Sequence, residues 1–349
     1  MKIKVDWSTF ILVGVIFLIG LLNLYSASYN LAKYLVWKQL LWFVFGIIIG
    51  LGVYVVGTNR ILHLAPVIYI FSLFLLLIVL VLPYPGAHRW LRFGFFNFQP
   101  SQLMKIALPL FLISVFSHRG FTTVFSFVPP ILSALIPAIL IAQEPDLGGA
   151  LLLFIPLFAF FLLRRVSFKK LFVWIFVGLV FIPVIYAHLQ PYQKKRLTTF
   201  LNPHSDPLGS GYTIMQSKIA IGSGGITGKG WLRGVQGQLR FLPESHTDFV
   251  FPVFAEEWGF TGAVFVLVLY ILLLWRLFII ANRIKLQPVR EFLLLLLVIF
   301  TAQIVINLGM TMGLLPVVGL PLPFFSYGGS DLVTNVVLIA LFQGAWREK

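Results

Sequence analysis

The sequence predicts an all-α fold, a polytopic integral membrane bundle of about ten transmembrane helices with one long extracytoplasmic loop. Hydrophobic residues make up 59% of the 349 residues and charged residues 11%, whereas a soluble domain carries about 25% charged residues. Apolar runs recur along the whole chain and do not alternate as the strands of a membrane barrel do. Composition and the length of these runs therefore both favour a helical bundle in lipid.

Each predicted span is an apolar run of about 20 residues, the length that a helix needs to cross the hydrocarbon core. The predicted spans are 8–26, 35–57, 64–82, 101–118, 124–143, 147–164, 169–188, 249–281, 290–313 and 328–346. The first span lacks a clear small-residue cleavage site, so we expect it to be retained rather than removed as a signal peptide. The chain has no cysteine, which excludes disulfide and thiolate chemistry.

The distribution of charge predicts the orientation. With the N-terminus in the cytoplasm, the inner loops hold most Lys and Arg of the short connections, as the positive-inside rule expects. Most acidic residues fall instead on or near the outer face. Carboxylates at a membrane are costly and tend to mark function, so we expect the chemistry at the outer face.

We expect a single domain over residues 1–349, in which 189–248 forms the long outer loop. That segment is too long for a plain connection. It contains apolar anchors such as Ile219 and Trp231, which predict that it folds back on the membrane face with a short amphipathic helix near 212–221.

The candidate catalytic residue is Asp248, where the long outer segment meets the span 249–281. A carboxylate there could accept a proton from a sugar hydroxyl at the membrane surface. The residues alone leave a second explanation open, since Asp is a favoured N-cap and could cap the next helix. Glu244 and His246 precede it, the first able to pair with an arginine and the second to form interfacial hydrogen bonds.

A second outer cluster contains Arg89, Trp90, Gln102 and Lys105. Its cations could bind a diphosphate, because the planar guanidinium of Arg can donate two parallel hydrogen bonds to phosphate oxygens and the Lys ammonium adds a compact positive charge. The other explanation is a set of snorkelling basic residues with Trp90 in the aromatic belt. Lys105 lies inside an apolar run, which favours diphosphate binding.

Three further segments carry weaker signals. Asp146 is predicted to cap the helix that follows it, and a catalytic role is the less favoured alternative. The glycine-rich run 222–230 departs from a phosphate-binding P-loop at Ser223 and Gly230, so we exclude a nucleoside triphosphatase and predict a flexible turn whose amides could meet phosphate. The segment 307–330 reads as a broken outer segment, and non-helical backbone at that depth predicts a cavity wall.

Longer motifs run through the same regions. They are Arg89-Trp90, Gln99-Pro100-Ser101, Gln143 to Gly148, Gly209 to Tyr212, Gly228 to Trp231, Phe241 to Phe249, Asn307 to Pro316 and Ser326 to Ser330. With these motifs the chain resembles the SEDS family of shape, elongation, division and sporulation proteins from about residue 10 to 345. The run Gly228 to Trp231, with Gln236, is more similar to the RodA branch than to the FtsW branch.

The resemblance implies a peptidoglycan glycosyltransferase of the bacterial plasma membrane. Such proteins polymerise lipid II into glycan strands during cell elongation and rod-shape maintenance, and release undecaprenyl diphosphate. Asp248 matches the essential aspartate of the family. The expected substrate-binding residues are Lys105, Arg89, Trp90, Gln102, Glu244, His246, Lys218, Arg196 and Ser326.

The resemblance also implies partners. They are a class B penicillin-binding protein that crosslinks the strands, and the elongation machinery, with no role for nucleic acid. No cofactor is implied with certainty, although there is room for a divalent cation, Mg²⁺ or Mn²⁺. A lipid II flippase is the alternative function, but a flippase needs polar groups through the full bilayer depth, and here they crowd the outer third.

The chain departs from the family at Gln102, where the family has a glutamate. Lys105 follows one helical turn later, where a glutamate could pair with it. We therefore expect Gln102 to leave the Lys105 ammonium uncompensated and freer to bind phosphate. Asp331 is a second departure, because the family more often has a small polar residue there.

Overall fold

The structure is a computed structural model that describes residues 4–29, 34–82, 89–93, 96–202, 206, 209–239 and 241–349. Parts of the long outer segment thus lie outside the described residues. The α-helices within the described ranges are α1 (Trp7–Ala27), α2 (Tyr34–Val56), α3 (Thr58–His63), α4 (Ala65–Val81), α5 (Pro100–Phe116), α6 (Val128–Gln143), α7 (Leu147–Leu152), α8 (Phe154–Leu163), α9 (Phe168–His188), α10 (Pro191–Leu201), α11 (Ser210–Ser223), α12 (Val235–Gln238), α13 (Val250–Asn282), α14 (Gln287–Thr311) and α15 (Gly329–Glu348), and a 3₁₀ helix over Val124–Phe127 leads into α6.

A helix, or two helices in line, lies at every predicted span, which confirms the helical membrane fold. Five of the described helical segments are long and apolar enough to cross a membrane by length and composition: Trp7–Ala27, Tyr34–Val56, Val124–Gln143, Val250–Asn282 and Gln287–Thr311. Shorter apolar helices cover Ala65–Val81, Pro100–Phe116 and Leu147–Leu163.

A short antiparallel hairpin precedes α5. Its strands are β1 (Leu91–Phe93) and β2 (Phe96–Phe98), with Leu91 opposite Phe98. Ser330 in the first turn of α15 fixes this hairpin. Its hydroxyl donates to the Asn97 carbonyl at 2.9 Å and accepts from the Gln99 amide at 3.1 Å. The hairpin therefore holds the chain around Arg89 and Trp90 next to the start of α15.

The irregular segment 312–328 lies among helices, as predicted for a cavity wall. Side chains from the helices satisfy its backbone carbonyls. Asn307 donates to the Leu320 carbonyl at 2.7 Å and Gln303 donates to the Pro321 carbonyl at 2.9 Å. Gln39 of α2 donates to the carbonyl of Ser326 at 2.9 Å. These bonds satisfy carbonyl groups that no helix ladder pairs.

The long outer segment contains α10, α11 and α12 in its described parts. The helix predicted near 212–221 is α11, which extends further at both ends. Asp206 anchors its start, because its carboxylate accepts from the Ser210 amide at 3.0 Å and pairs with Lys195 at 3.0 Å. Ser217 fixes α11 to the bundle by donating to the Thr311 carbonyl at 2.5 Å.

The glycine-rich run 222–230 packs into a break in α13 at Gly259, which has φ of 67°. There the helix carbonyls of Glu256 and Glu257 accept from the amides of Lys229 and Gly230 at 3.0 and 2.9 Å. A Cβ on Gly259 would lie 2.3 Å from the Gly228 nitrogen, so only glycine fits. The prediction of a flexible, phosphate-meeting turn is wrong, because these two amides bond to α13 instead.

Candidate active site

A cavity of about 570 Å³ lies where α2, α5, α7, α13 and α15 begin. Since each of these helices contributes its N-terminal end, the cavity opens at one end of the bundle. Seven of the ten candidate residues line it: Arg89, Trp90, Gln102, Lys105, Arg196, Glu244 and Asp248. The structure therefore brings together two clusters that lie more than 130 residues apart in the sequence, with Arg196 between them.

Asp248 is held by the turn that precedes α13. The Glu244 carbonyl accepts from the amides of Thr247 and Phe249, both at 3.1 Å, and Asn307 of α14 donates to the Asp248 carbonyl at 3.0 Å. The N-cap of α13 is Phe249, and no side-chain hydrogen bond caps the helix. The capping explanation for Asp248 is therefore wrong, and its carboxylate faces the cavity.

The environment of Asp248 raises its pKa from 3.8 to about 7. Burial is the main cause, because the surrounding protein disfavours the charged form even though part of the side chain meets the cavity. The negative charge of Glu244 raises the pKa further, whereas Arg196 lowers it. The result is a carboxylate that gains and loses a proton near neutral pH, as suits a general base.

Lys105 lines the cavity as predicted, but it is not uncompensated. Its ammonium lies 3.1 Å from a carboxylate oxygen of Asp331 and donates to the Gln303 amide oxygen at 2.9 Å. The Asp331 carboxylate also accepts from Gln303 at 2.9 Å and from Asn335 at 2.8 Å. The expectation that Gln102 leaves this ammonium without a partner is wrong, because Asp331 supplies the carboxylate from α15.

Gln102 bonds to another amide rather than to Lys105. Its side-chain amide donates to the Gln99 oxygen at 3.3 Å, and Gln99 donates to Asp146 at 3.3 Å. Asp146 caps α7 as predicted, since its carboxylate accepts from the Gly149 amide at 2.9 Å. A chain of neutral amides thus leads from α5 to the start of α7 along the cavity wall.

Arg89 supplies positive charge to the cavity with little local compensation. Its Nε donates to the Glu144 carbonyl at 2.7 Å. The Glu144 side chain is fully buried, and burial, with a smaller contribution from Asp146, raises its pKa to about 9. Glu144 is therefore neutral at pH 7 and leaves the guanidinium of Arg89 available to an anion.

Three candidate residues lie outside the cavity lining. The His246 carbonyl accepts from the Tyr327 amide at 3.0 Å, and the Ser326 hydroxyl accepts from the Leu322 amide at 2.8 Å. Both residues thus shape the wall through the irregular segment. Lys218 is exposed on α11, with its stem against Gly313. Substrate binding by these three residues stays a prediction.

Sequence reasoning missed the roles of Asp331, Gln303 and Lys38, although all three are visible in the sequence. Lys38 lines the cavity from α2, and Asp331 and Gln303 hold Lys105. The usable signal was a buried ammonium in an apolar run, which requires a carboxylate partner in another span.

The described residues hold no group of three or more His, Cys, Asp or Glu side chains that could bind a metal ion. The carboxylates of Asp146, Glu244 and Asp248 line one cavity but do not form such a group. The described donor set thus offers no dedicated cage for the divalent cation for which the resemblance leaves room, and the lysine and arginine side chains of the cavity supply positive charge.

The family model of the FtsW, RodA and SpoVE cell cycle proteins matches residues 6–349. Peptidoglycan glycosyltransferase MrdB of Escherichia coli strain K12 is 44% identical over 290 residues, which cover 80% of this chain and 75% of that protein. An FtsW protein of Wigglesworthia glossinidia brevipalpis is 32% identical over 341 residues, covering 93% and 88%.

Solved structures give the same result. A chain from a peptidoglycan synthase complex that coordinates polymerization and crosslinking has a TM-score of 0.86 at 33% identity, with 99% of both chains covered. Rod shape determining protein RodA of Thermus thermophilus has a TM-score of 0.74 at 31% identity, covering 99% of this chain and 97% of that one. The chain therefore belongs to the SEDS family of multi-pass membrane proteins and is of the RodA type.

Proposed function

We propose that this chain is a peptidoglycan glycosyltransferase that polymerises lipid II, with Asp248 as the general base in an active site on the extracytoplasmic face. The observation that carries the proposal is the open carboxylate of Asp248 in a cavity that also holds Arg89, Arg196 and Lys105. The similarity to the Escherichia coli peptidoglycan glycosyltransferase supports it. The activity is an inverting glycosyl transfer during cell elongation.

The reaction needs one displacement. The donor sugar is α-linked to diphosphate and the product is β-linked. Asp248 takes the proton of the acceptor hydroxyl while that oxygen bonds to the anomeric carbon of the donor. The bond from that carbon to the diphosphate oxygen breaks, and undecaprenyl diphosphate leaves with the electron pair.

The leaving group explains why one carboxylate suffices. A glycosidase uses a second carboxylic acid to protonate a poor leaving group. A diphosphate leaves without protonation where cations stabilise its developing charge. Arg89 and Arg196 offer forks to the phosphate oxygens, and Lys105 keeps its third N–H for them, since two are bonded to Asp331 and Gln303.

The tuned pKa of Asp248 sets the pH dependence. Because the pKa of this carboxyl is about 7, the base form is a minority below that pH. We expect the polymerisation rate to rise with pH through about 7 and then level off. A carboxylate with the usual pKa near 3.8 would give a flat profile over the same range.

A class B penicillin-binding protein is the proposed partner, as one half of a machine that also crosslinks the strands. The complex in which a similar chain was solved supports this. We expect a single partner helix to pack against the spans of α13 and α14. Deleting the transmembrane helix of the partner should abolish co-purification in detergent, and unchanged association would show that the contacts are extracytoplasmic alone.

The test of the function is polymerisation of purified lipid II by the purified protein, with and without its cognate transpeptidase. We expect glycan strands in both cases, in larger amount with the partner. A flippase would instead move lipid II between the leaflets of a vesicle without forming polymer. Transfer without polymer would overturn the proposal.

A further inference from the structure

A second polar cavity, of about 680 Å³, lies at the opposite end of the bundle from Asp248. It forms where α5, α8 and α13 end and α14 begins. Helices α5 and α13 thus contribute their N-terminal ends to the active-site cavity and their C-terminal ends to this one. We call it the basic cavity, because Arg119, Arg164, Arg165 and Arg290 line it against one acidic residue, Glu291.

The single carboxylate is already occupied. Glu291 accepts from the Gln287 side chain at 2.8 Å and forms an ion pair with Arg164. Arg164 also donates to the Ser117 carbonyl at 2.6 Å, so this arginine holds the walls together.

The other three arginines have no carboxylate partner in the described part of the chain. Arg119 and Arg165 are exposed and Arg290 is partly buried. The ion pairs of the described residues include none of them. Three guanidinium groups around one cavity therefore present an uncompensated positive charge, which a bound anion would neutralise.

An apolar groove of about 600 Å³ adjoins this cavity between α6, α8 and α9. Leu132, Leu157 and Trp174 are among the side chains that line the groove. Phe161 lines the groove and Phe121 lines the basic cavity, and their ring centroids are 5.5 Å apart. One pair of packed aromatic side chains thus separates the two spaces.

We propose that the basic cavity and the apolar groove together bind an anionic phospholipid. The phosphate lies among Arg119, Arg165 and Arg290, and an acyl chain lies along the groove. Arginine forks match phosphate oxygens, and basic pockets between transmembrane helices bind anionic lipid headgroups. The positive-inside orientation places this site in the cytoplasmic leaflet, across the membrane from the proposed active site.

The binding test uses purified protein in detergent with phosphatidylglycerol as the probe, and native mass spectrometry to count retained lipids. The variant Arg119→Gln with Arg290→Gln should lose affinity by about fivefold per arginine, the ratio that corresponds to about 1 kcal/mol per basic residue. The matched control is Arg283→Gln with Lys285→Gln, two exposed basic residues at the same end but outside the cavity. Equal retention by both double variants would overturn the proposal.

A soluble phosphate could use the same arginines, so a second arm separates the two sources. Glycerol phosphate should displace phosphatidylglycerol only at far higher concentration, because it lacks the acyl chain. Filling the groove with Gly178→Leu should weaken phosphatidylglycerol binding while leaving glycerol phosphate binding unchanged. A Cβ at Gly178 meets nothing within 4 Å, so this substitution should fold. Equal affinity for both probes, or no effect of Gly178→Leu, would overturn the lipid assignment.

Discussion

Two acidic regions near the start of α13 lie only eight residues apart and behave in opposite ways. Glu256 is fully buried and accepts from the Lys229 ammonium at 2.6 Å and from the Val235 amide at 2.9 Å. Asp248 faces the cavity and caps nothing. A carboxylate whose oxygens are bonded to the fold stabilises structure, whereas an open one can exchange a proton with a substrate.

The break at Gly259 explains the difference. It frees helix carbonyls at the start of α13, and the run 222–230 bonds to them. Glu256 and Glu257 then lie beside that run, where Glu257 accepts from Ser26 of α1. These contacts fix α1, α11 and α13 to one another, whereas separate bonds from the Glu244 carbonyl and Asn307 hold the turn that carries Asp248.

The largest expected effect is on activity at Asp248. Asp248→Asn keeps the shape of the side chain but cannot take a proton. We expect the polymerisation rate to fall by about 10²- to 10⁴-fold, the usual contribution of a general base. The measurement is the initial rate of lipid II polymerisation by purified protein.

The same variant should not lose stability. The folded pKa of Asp248, about 7, lies above its usual value of 3.8. The stability contributed by the protonated form is thus present below about pH 4 and lost as pH rises through about 7. Asp248→Asn avoids that loss, so at about pH 8 it should unfold at the same temperature as the wild type or higher. A lower unfolding temperature would show that Asp248 is structural.

Glu256→Gln should lower stability without lowering the polymerisation rate, the reverse of Asp248→Asn. The substitution removes the negative charge that pairs with Lys229. The same carboxylate accepts hydrogen bonds from the backbone amides of Val235 and Gln236. Lys229 is only partly buried, so losing these charge-assisted bonds costs about 1.5–3 kcal/mol. The thermal unfolding temperature should therefore fall while the folded fraction keeps its polymerisation rate. Glu348→Gln, at the exposed end of α15, is the control and should change neither quantity.

A smaller effect is expected from the pair of Lys105 and Asp331. Each single change, Lys105→Met or Asp331→Asn, leaves a buried charge without its partner and should destabilise the protein. The double variant should recover most of that stability, as a double-mutant cycle of thermal unfolding would measure. Its polymerisation rate should stay low, because the N–H proposed for diphosphate is gone. Full recovery of the polymerisation rate would show that Lys105 has a structural role only. The control is Lys38→Met, which removes an exposed lysine from the same cavity.

The sequence predicted the features that depend on local pattern. The length of the apolar runs predicted where the helices lie. Asp146 caps α7, as its position indicated, and α11 lies where the apolar residues of the long segment predicted a helix. Asp248 and the Arg89 cluster were both predicted on the outer side, and the structure places them in one cavity.

Features that depend on contacts between distant residues were not predicted. The pairing of Lys105 with Asp331 joins residues 226 positions apart. A lysine in an apolar run indicates that a carboxylate partner exists, but no local pattern indicates which one. The bonds from the run 222–230 into α13 depend on the φ of one glycine, Gly259. The glycine content of the run 222–230 predicted flexibility. In the structure, those glycines instead allow the backbone to pack closely against α13.

The smallest expected effect is a shift of the pH profile. The charge of Glu244 raises the pKa of Asp248, so Glu244→Gln should move the acid limb of the profile to lower pH by a fraction of a unit. Glu348→Gln, at the far end of the bundle, should leave the profile where it is.

The central claim is that Asp248 is the base, and the pH dependence of kcat/KM for lipid II polymerisation tests it most directly. The account predicts a rise with an apparent pKa near 7 in the wild type, moved to lower pH by Glu244→Gln. A flat profile between about pH 5 and 8, or a limb that Glu244→Gln does not move, would contradict it.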